Sequence, residues 1–282
     1  MILEEFLKMD KQEAVKYDFK KEIFQQRNLN YHNFNEVERV LIYKGNIFQK
    51  ESDCDRLPLT LSIYNTIWGD EINRYFDIEN AESFLPSNGE TMHSFTRIYK
   101  IYTDIIRQDN KYQFKCNELN KFAELTHSLG NFIPVYSIYE KNVSPFNASR
   151  NASTHDYWDL TMLDIKNYFA NKQEFVPKYI RNSSNWFETY RNDSFDNGFN
   201  EFCKKHYLDD WKIKENEPDS KWNERNLFWE HHETKRHTVS HFSNESGEEL
   251  FREILTKINQ SIITRGELMY DKLKEEFEKR GC

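Results

Sequence analysis

The chain has 282 residues and a net charge of −8 at neutral pH. A chain of this length forms one large domain or two smaller ones, and either can bury a core without disulfides or metals. Its acidic balance repels phosphate, which disfavours general nucleic-acid binding and favours contact with basic surfaces on other proteins. Aromatic residues make up 16% of the chain and hydrophobic residues only 38%, so we expect a core rich in rings.

The cysteines and the amino-terminal segment predict a cytoplasmic protein. Cys54, Cys116, Cys203 and Cys282 are widely spaced and form no C-x-x-C pair, so we expect reduced thiols rather than a zinc or redox site. Residues 1–19 contain acids and no long apolar run, so neither a signal peptide nor a membrane span is expected. No cofactor is predicted, because the sequence lacks the P-loop, dinucleotide, nucleophile-elbow and kinase motifs.

The first part of the chain predicts short helices, a small sheet and a longer helix. Residues 1–26 have apolar side chains at roughly helical spacing. Residues 37–48 and 56–67 are rich in β-branched and aromatic side chains, and the second stretch alternates apolar with other residues. We therefore predict that these two stretches pair as strands. Residues 92–105 repeat apolar side chains every three or four positions, which predicts an amphipathic helix.

The remaining segments predict helices of different lengths. A helix from about residue 117 ends inside LTHSLGNFIPV (residues 125–135), where Gly130 lies at the position of a left-handed cap. Residues 154–169 offer Thr154 or Asp156 as N-cap and have the broad apolar face of a buried helix, and residues 177–220 indicate short helices joined by turns. Residues 246–280 begin with capping-box spacing and continue an apolar stripe, which predicts a long terminal helix.

Together these elements predict an α+β fold. It would be helix-rich, with a small antiparallel sheet in the N-terminal part and a long C-terminal helical arm. We divide the chain into an N-terminal α+β region (residues 1–115), a central helical body (116–211), and a linker with the helical arm (212–282). The linker is the hydrophilic stretch 212–225.

The stretch LTHSLGNFIPV contains the first candidate for chemistry. Leu129-Gly130-Asn131, followed after a spacer by Asn147, resembles the terminal half of HNH-type nuclease domains, although their upstream Asp-His-x-x-Pro element is missing. The resemblance implies a metal-assisted nuclease or nucleotide hydrolase that uses His127, Asn131 and Asn147. His127 would then be a general base and Asn131 an oxyanion donor or a ligand-orienting group. In the alternative interpretation His127 caps a carbonyl and Asn131 stabilises a turn.

A histidine-rich stretch is the second candidate. His237 and His241 have the i, i+4 spacing that can hold zinc on a helix, and Glu230 or Glu233 could be a third ligand or a base. The stretch lacks the H-E-x-x-H pattern, and its central residues are poor helix formers. A hydrated loop without metal is the alternative.

A group of aromatic and basic residues is the third candidate. Trp222, Phe228 and Trp229 lie close in sequence to Arg225 and Arg236. Trp and Arg are common anchors of protein interfaces, so these five residues are predicted to bind a partner. Ordinary core packing explains the aromatic residues equally well.

Five stretches carry a resemblance to a family of bacterial and phage proteins: TMHSFTRIYKIY (91–102), FAELTHSLGNFIPV (122–135), FNASR (146–150), DYWDLTMLDIKNYF (156–169) and INQSIITRGELM (258–269). Size, acidity and aromatic content are similar to those of phage anti-defence proteins that disable the Gabija nuclease–helicase complex. This resemblance implies a non-enzymatic inhibitor that forms homo-oligomers and wraps its target, so that DNA is neither bound nor cut. The implied partner is a bacterial defence nuclease–helicase complex, with no direct contact to nucleic acid or membrane.

Overall fold

The structure is a computed structural model that describes residues 1–45, 54, 57–75, 89–108, 115–135, 146, 150, 157–191, 195–229 and 245–280. Over these residues the chain is predominantly α-helical, so the predicted α+β class is wrong. Within the same residues, no helix is both long enough and apolar enough to cross a membrane.

The helices of the described residues follow one another along the chain. They are α1 (Leu3–Leu7), α2 (Lys11–Val15), α3 (Lys20–Gln26), α4 (Glu36–Gly45), α5 (Pro58–Tyr75), α6 (Phe95–Gln108), α7 (Asn117–Leu125), α8 (Trp158–Phe169), α9 (Lys178–Asn182), α10 (Ser184–Phe187), α11 (Phe195–Lys205), α12 (Asp219–Asn226) and α13 (Glu245–Lys279). Short 3-10 turns lie at Tyr31–Asn33, Leu129–Asn131, Gln173–Phe175, Glu188–Tyr190 and Asp209–Trp211.

The chain forms two compact units, and each unit draws on segments that are distant in sequence. Unit 1 comprises Met1–Thr91, Cys116–Ile138 and Leu255–Cys282, and unit 2 comprises Met92–Lys115 and Tyr139–Ile254. The predicted linker, residues 212–225, lies within the range of unit 2. The three-part division made from the sequence stays a prediction.

The first predicted strand, residues 37–48, is largely occupied by helix α4. A capping box begins this helix: the Glu38 amide donates to Asn35 Oδ1 at 3.0 Å, and the Asn35 amide donates to Glu38 Oε2 at 2.9 Å. Val40 and Tyr43, three positions apart, are both buried. The capping box and the helical spacing of the buried residues therefore outweigh the strand preference of the β-branched residues.

The second predicted strand, residues 56–67, is occupied by helix α5. Pro58 stands at its first position, where the missing amide hydrogen is no loss. Leu59 and Ile63 are buried at i, i+4 spacing, as are Thr60 and Tyr64. A short run of alternating apolar residues is compatible with the two-residue period of a strand and with the 3.6-residue period of a helix. The additional burial of Thr60 and Tyr64 fits only the helix.

Among the described residues the β structure consists of two short strands in unit 1. β1 (Gly89–Thr91) and β2 (Phe132–Pro134) pair antiparallel, with Gly89 opposite Pro134 and Thr91 opposite Phe132. Every residue of β2 is buried. The pairing fixes the chain that follows the turn at residues 129–131.

The predicted terminal helix is confirmed as α13, which spans 35 residues. Its apolar stripe is enclosed: Phe251, Ile254, Leu255, Ile258, Ile262, Met269 and Leu273 are all buried. Exposed positions alternate with this stripe, as the 3.6-residue period requires. The helix is therefore anchored along its length by buried contacts.

Candidate functional site

The stretch LTHSLGNFIPV forms the buried centre of unit 1. It contains the end of α7, the 3-10 turn Leu129–Asn131 and strand β2, and every one of its residues is buried. Inside the turn the Asn131 side-chain amide donates to the Thr126 carbonyl at 2.8 Å, and the Ser128 hydroxyl donates to the Leu125 carbonyl at 2.8 Å. These bonds satisfy the carbonyls that the end of a helix leaves without a partner.

Gly130 is required because another backbone comes very close. A Cβ atom at this position would lie 1.8 Å from the Ile262 carbonyl oxygen and 2.7 Å from the Gly266 amide nitrogen. The residue does not adopt the left-handed conformation, so the predicted left-handed cap is wrong. The glycine allows the turn to pack against the backbone of α13, where Gly266 is the opposing residue.

Arg265 of α13 holds both sides of this turn. Its Nη1 atom donates to the Gly130 carbonyl at 2.7 Å and to the Phe132 carbonyl at 2.6 Å. The residue is 3% exposed, so its two bonds lie in a region of low dielectric constant, where charge-assisted bonds are strong.

His127 is enclosed by the rings of Tyr43 and Phe132. The ring centroids lie 4.5 Å and 6.3 Å from that of the imidazole, respectively. Burial lowers the pKa of His127 well below its ordinary value, and the nearby positive charges of Lys20 and Lys44 lower it further. The imidazole is therefore neutral near pH 7, and its Nδ1 atom is buried without a hydrogen-bond partner in the described part of the chain.

A buried ion pair lies close to His127. Lys20 Nζ is 2.9 Å from Asp18 Oδ1, with the two side chains 0% and 2% exposed. The Tyr31 hydroxyl donates to Asp18 Oδ2 at 2.5 Å, and Lys20 Nζ donates to the Ala123 carbonyl at 3.3 Å. The Lys20–Ala123 bond thus joins the start of α3 to α7. The neighbouring Phe19 amide donates to the His127 carbonyl at 2.9 Å, which joins the same segment to the turn.

Two of the three residues proposed for hydrolysis therefore serve packing. His127 and Asn131 lie in the enclosed turn, and Asn147 lies outside the described residues. The structure leaves no open face of the imidazole on which a substrate could be placed, since only 5% of the residue is exposed. The geometry supports the interpretation of this stretch as a structural turn.

The aromatic residues predicted to bind a partner are mostly core residues of unit 2. Trp222 is 0% exposed and its indole Nε1 donates to the Trp211 carbonyl at 2.8 Å. Trp229 is 1% exposed and stacks on Tyr157 at 5.3 Å between ring centroids. Phe228 is half-buried. A partner could reach only part of this group, and the partner-binding role of the group stays a prediction.

The basic residues of that group differ in what the structure describes. Arg225 is half-buried, forms an ion pair with Glu217 at 2.8 Å, and donates through Nη2 to the Lys212 carbonyl at 2.9 Å. These contacts fasten α12 to the chain before it. Arg236 lies outside the described residues.

The residues of the predicted metal site lie outside the part of the chain that the structure describes. His237 and His241 lie outside the described residues, as do Glu230 and Glu233. Among the residues that the structure does describe, no group of three His, Cys, Asp or Glu side chains is arranged to hold a metal ion.

Asp159 is a buried acid whose importance the sequence did not indicate. Its Oδ2 atom accepts from the Phe228 amide at 3.0 Å and the Trp229 amide at 2.9 Å, and the residue is 0% exposed. Burial raises the pKa of Asp159 to about 7, although these backbone bonds oppose the rise. No local pattern could have revealed this contact, because its partners are 69 and 70 residues away.

No family model, no curated protein and no solved structure matches this chain.

Proposed function

We propose that this protein acts by binding another protein, and that its target is a bacterial nuclease–helicase defence complex of the Gabija type. In this proposal the chain is a phage-type anti-defence inhibitor. It covers the target so that DNA is neither bound nor cleaved, and it transforms no substrate itself.

The observation that carries the proposal is the burial of LTHSLGNFIPV. The alternative, a metal-assisted nuclease or nucleotide hydrolase, needs His127 and Asn131 at an accessible site. His127 is packed against two rings, and Asn131 uses its side-chain amide to bond the Thr126 carbonyl. A general base must come within hydrogen-bond distance of the proton that it takes, which this enclosure opposes.

The distribution of charge along the sequence also favours the proposal. Residues 51–90 contain nine Asp and Glu residues against two Arg and no Lys, so this stretch accounts for −7 of the net charge of −8. Nucleases and helicases hold DNA with Lys and Arg, and an acidic segment can compete for the same surface. We assign residues 51–90 to the contact with the target's DNA-binding surface.

Compartment and assembly follow from the proposed target. A defence complex that acts on DNA works in the bacterial cytoplasm, and the buried free thiols of Cys54, Cys116 and Cys203 suit a reducing compartment. Wrapping a large target also suits a homo-oligomer, because repeated copies multiply the contact area.

Binding of the full chain to a reconstituted Gabija-type complex tests the proposal. Four acids of the segment are neutralised together (Asp53→Asn, Asp55→Asn, Glu79→Gln and Glu82→Gln). The matched control neutralises four exposed acids elsewhere (Glu4→Gln, Glu215→Gln, Glu249→Gln and Glu278→Gln). We expect affinity, measured by biolayer interferometry, to fall about tenfold or more for the first variant and less than about threefold for the control. Equal affinities for the two variants, or no binding by the wild type, would contradict the proposal.

A further inference from the structure

Unit 1 contains an open groove of about 330 Å³, which we call the lysine groove. It is lined by Met9, Gln12, Glu13, Lys16, Tyr17, Lys21 and Glu124. This volume is at the lower end of the range of ligand sites and can hold one or two side chains of a partner.

Two lysines give the groove its positive charge. Among the described residues, neither Lys16 nor Lys21 forms an ion pair. Lys21 Nζ instead lies over two rings, 5.4 Å from the centroid of Tyr17 and 5.5 Å from that of Tyr31. Rings hold an ammonium group in place without neutralising its charge, so Lys21 stays available to an anion beside Lys16.

The acids of the groove limit which anion can bind. Glu124 accepts from Lys121 at 2.6 Å, so much of its charge is compensated from outside the groove. Glu13 is exposed and has no ion pair in the described part of the chain. These two carboxylates repel a doubly charged phosphate more strongly than a singly charged carboxylate.

Tyr17 provides a fixed wall. The residue is 9% exposed, and its hydroxyl donates to Glu22 Oε1 at 2.5 Å, while Glu22 also accepts from the amino-terminal ammonium at 2.8 Å. Burial and the Glu22 carboxylate raise the pKa of Tyr17, so the hydroxyl stays a donor. Because Lys21 already lies over the ring, a nucleobase would have to displace it before stacking there.

We propose that the lysine groove binds an Asp or Glu side chain of an extended segment of the partner protein. Lys16 and Lys21 receive the carboxylate, and Met9 with Tyr17 receives the apolar side chain next to it. Glu13 favours partner segments that also carry a basic residue. The inference rests on the proposed protein-binding function and assigns this groove to one part of that contact.

A peptide titration followed by NMR tests the groove directly. The probe is the blocked pentapeptide Gly-Glu-Phe-Glu-Gly, and Gly-Gln-Phe-Gln-Gly is its uncharged counterpart. We expect amide shifts in residues 9–21 and at Glu124 with the acidic peptide, and affinity about tenfold weaker or more in a Lys16→Glu, Lys21→Glu variant. The matched control, Lys257→Glu with Lys274→Glu, changes two exposed lysines of α13 and should leave the affinity within about twofold of the wild type.

Two outcomes would overturn the inference, and a third would overturn only the proposed function. Equal shifts with both peptides would show that the carboxylate is not recognised. Shifts with adenosine monophosphate but not with the acidic peptide would assign the groove to a nucleotide. Failure of the whole chain to bind the nuclease–helicase complex, with peptide binding intact, would overturn the proposed function and leave the groove assignment standing.

Discussion

Unit 1 and unit 2 each bury an aspartate almost completely, and the two carboxylates have different partners. In unit 1 Asp18 is 2% exposed and forms an ion pair with Lys20. In unit 2 Asp159 is 0% exposed and is bonded by the backbone amides of Phe228 and Trp229. A cation compensates the first charge, whereas backbone dipoles compensate the second only in part. The same residue type should therefore respond differently to loss of its partner in the two units.

The two units also offer separate optical signals for testing this difference. Trp68 lies in unit 1, and the other five tryptophans lie in the ranges of unit 2. Tryptophan fluorescence therefore reports mainly on unit 2, whereas far-UV circular dichroism reports on the helices of both units. Loss of coincidence between the two signals during unfolding would show that the units unfold separately.

The largest effect is expected from removing one half of the ion pair in unit 1. Lys20→Met leaves Asp18 charged and buried without its cation, which should lower the free energy of unfolding by about 3–5 kcal/mol. Lys11→Met is the control, because Lys11 and Asp271 form an ion pair that is 37% and 62% exposed. That change should cost less than about 1 kcal/mol. Urea unfolding followed by circular dichroism measures both, and similar costs for the two variants would contradict the account of unit 1.

Alanine substitutions of glycine compare a clash with backbone atoms in unit 1 with a clash against a side chain in unit 2. Gly130→Ala places a methyl group 1.8 Å from a backbone oxygen in unit 1, which should cost about 3 kcal/mol. Gly198→Ala in unit 2 meets a ring atom of Phe169 at 2.5 Å, which can shift, so a cost of about 1–2 kcal/mol is expected. Gly69→Ala meets the side chains of Asn65 at 3.1 Å and Arg280 at 3.7 Å, both of which can move, and serves as the control. Thermal unfolding ranks the three variants by their loss of stability. A Gly130 variant as stable as the control would refute the close packing of the turn on α13.

Asp159 should make unit 2 less stable as pH rises. Its pKa is about 7 in the folded protein and near the ordinary value of 3.8 when unfolded, so the folded state binds the extra proton between these values. Stability is then lost by about 1 kcal/mol per pH unit between about pH 4 and 7. Burial also raises the pKa of Asp164, in the same helix α8, to about 7. Asp159→Asn should therefore remove about half of the combined slope from the urea transition seen by tryptophan fluorescence. An unchanged slope in the variant would show that another group titrates.

His127 should give unit 1 the opposite dependence on pH. Its pKa is lower in the folded protein than in the unfolded chain, so the unfolded state binds the extra proton as pH falls below about 6.5. Stability is therefore lost on acidification, by up to about 1 kcal/mol per pH unit. His127→Gln keeps a neutral polar group and should flatten the dependence, measured by circular dichroism. A His127 that titrates at its ordinary pKa by NMR would contradict its burial.

The sequence predicted the elements that obey one clear period. A buried helix was expected within residues 154–169, and Trp158–Phe169 form α8 with Tyr157 at the N-cap. The terminal stripe forms α13. Both predictions succeeded because many positions agree with the 3.6-residue repeat. Residues 37–48 and 56–67 failed for a local reason. The alternation of residues 56–67 was short and Pro58 favoured a helix start, while the Asn35 and Glu38 capping box favoured a helix over the first stretch.

Long-range contacts were beyond the reach of the sequence. Lys20 and Ala123 are 103 residues apart, and Arg265 bonds Gly130 across 135 residues. The sequence around Lys20 and around Arg265 shows no pattern that would distinguish a buried charged side chain from a solvated one. Gly130 was recognised as special, but the reason was a neighbouring backbone that only the folded chain supplies.

Titration of DNA cleavage by a reconstituted Gabija-type nuclease–helicase complex with the purified chain tests the central claim most directly. An inhibitor that works by covering its target should abolish cleavage at a fixed molar ratio of inhibitor to target. Native mass spectrometry should then show a complex whose mass corresponds to that ratio. Inhibition far below one chain per target, or cleavage of DNA or nucleotide by the isolated chain, would contradict the claim.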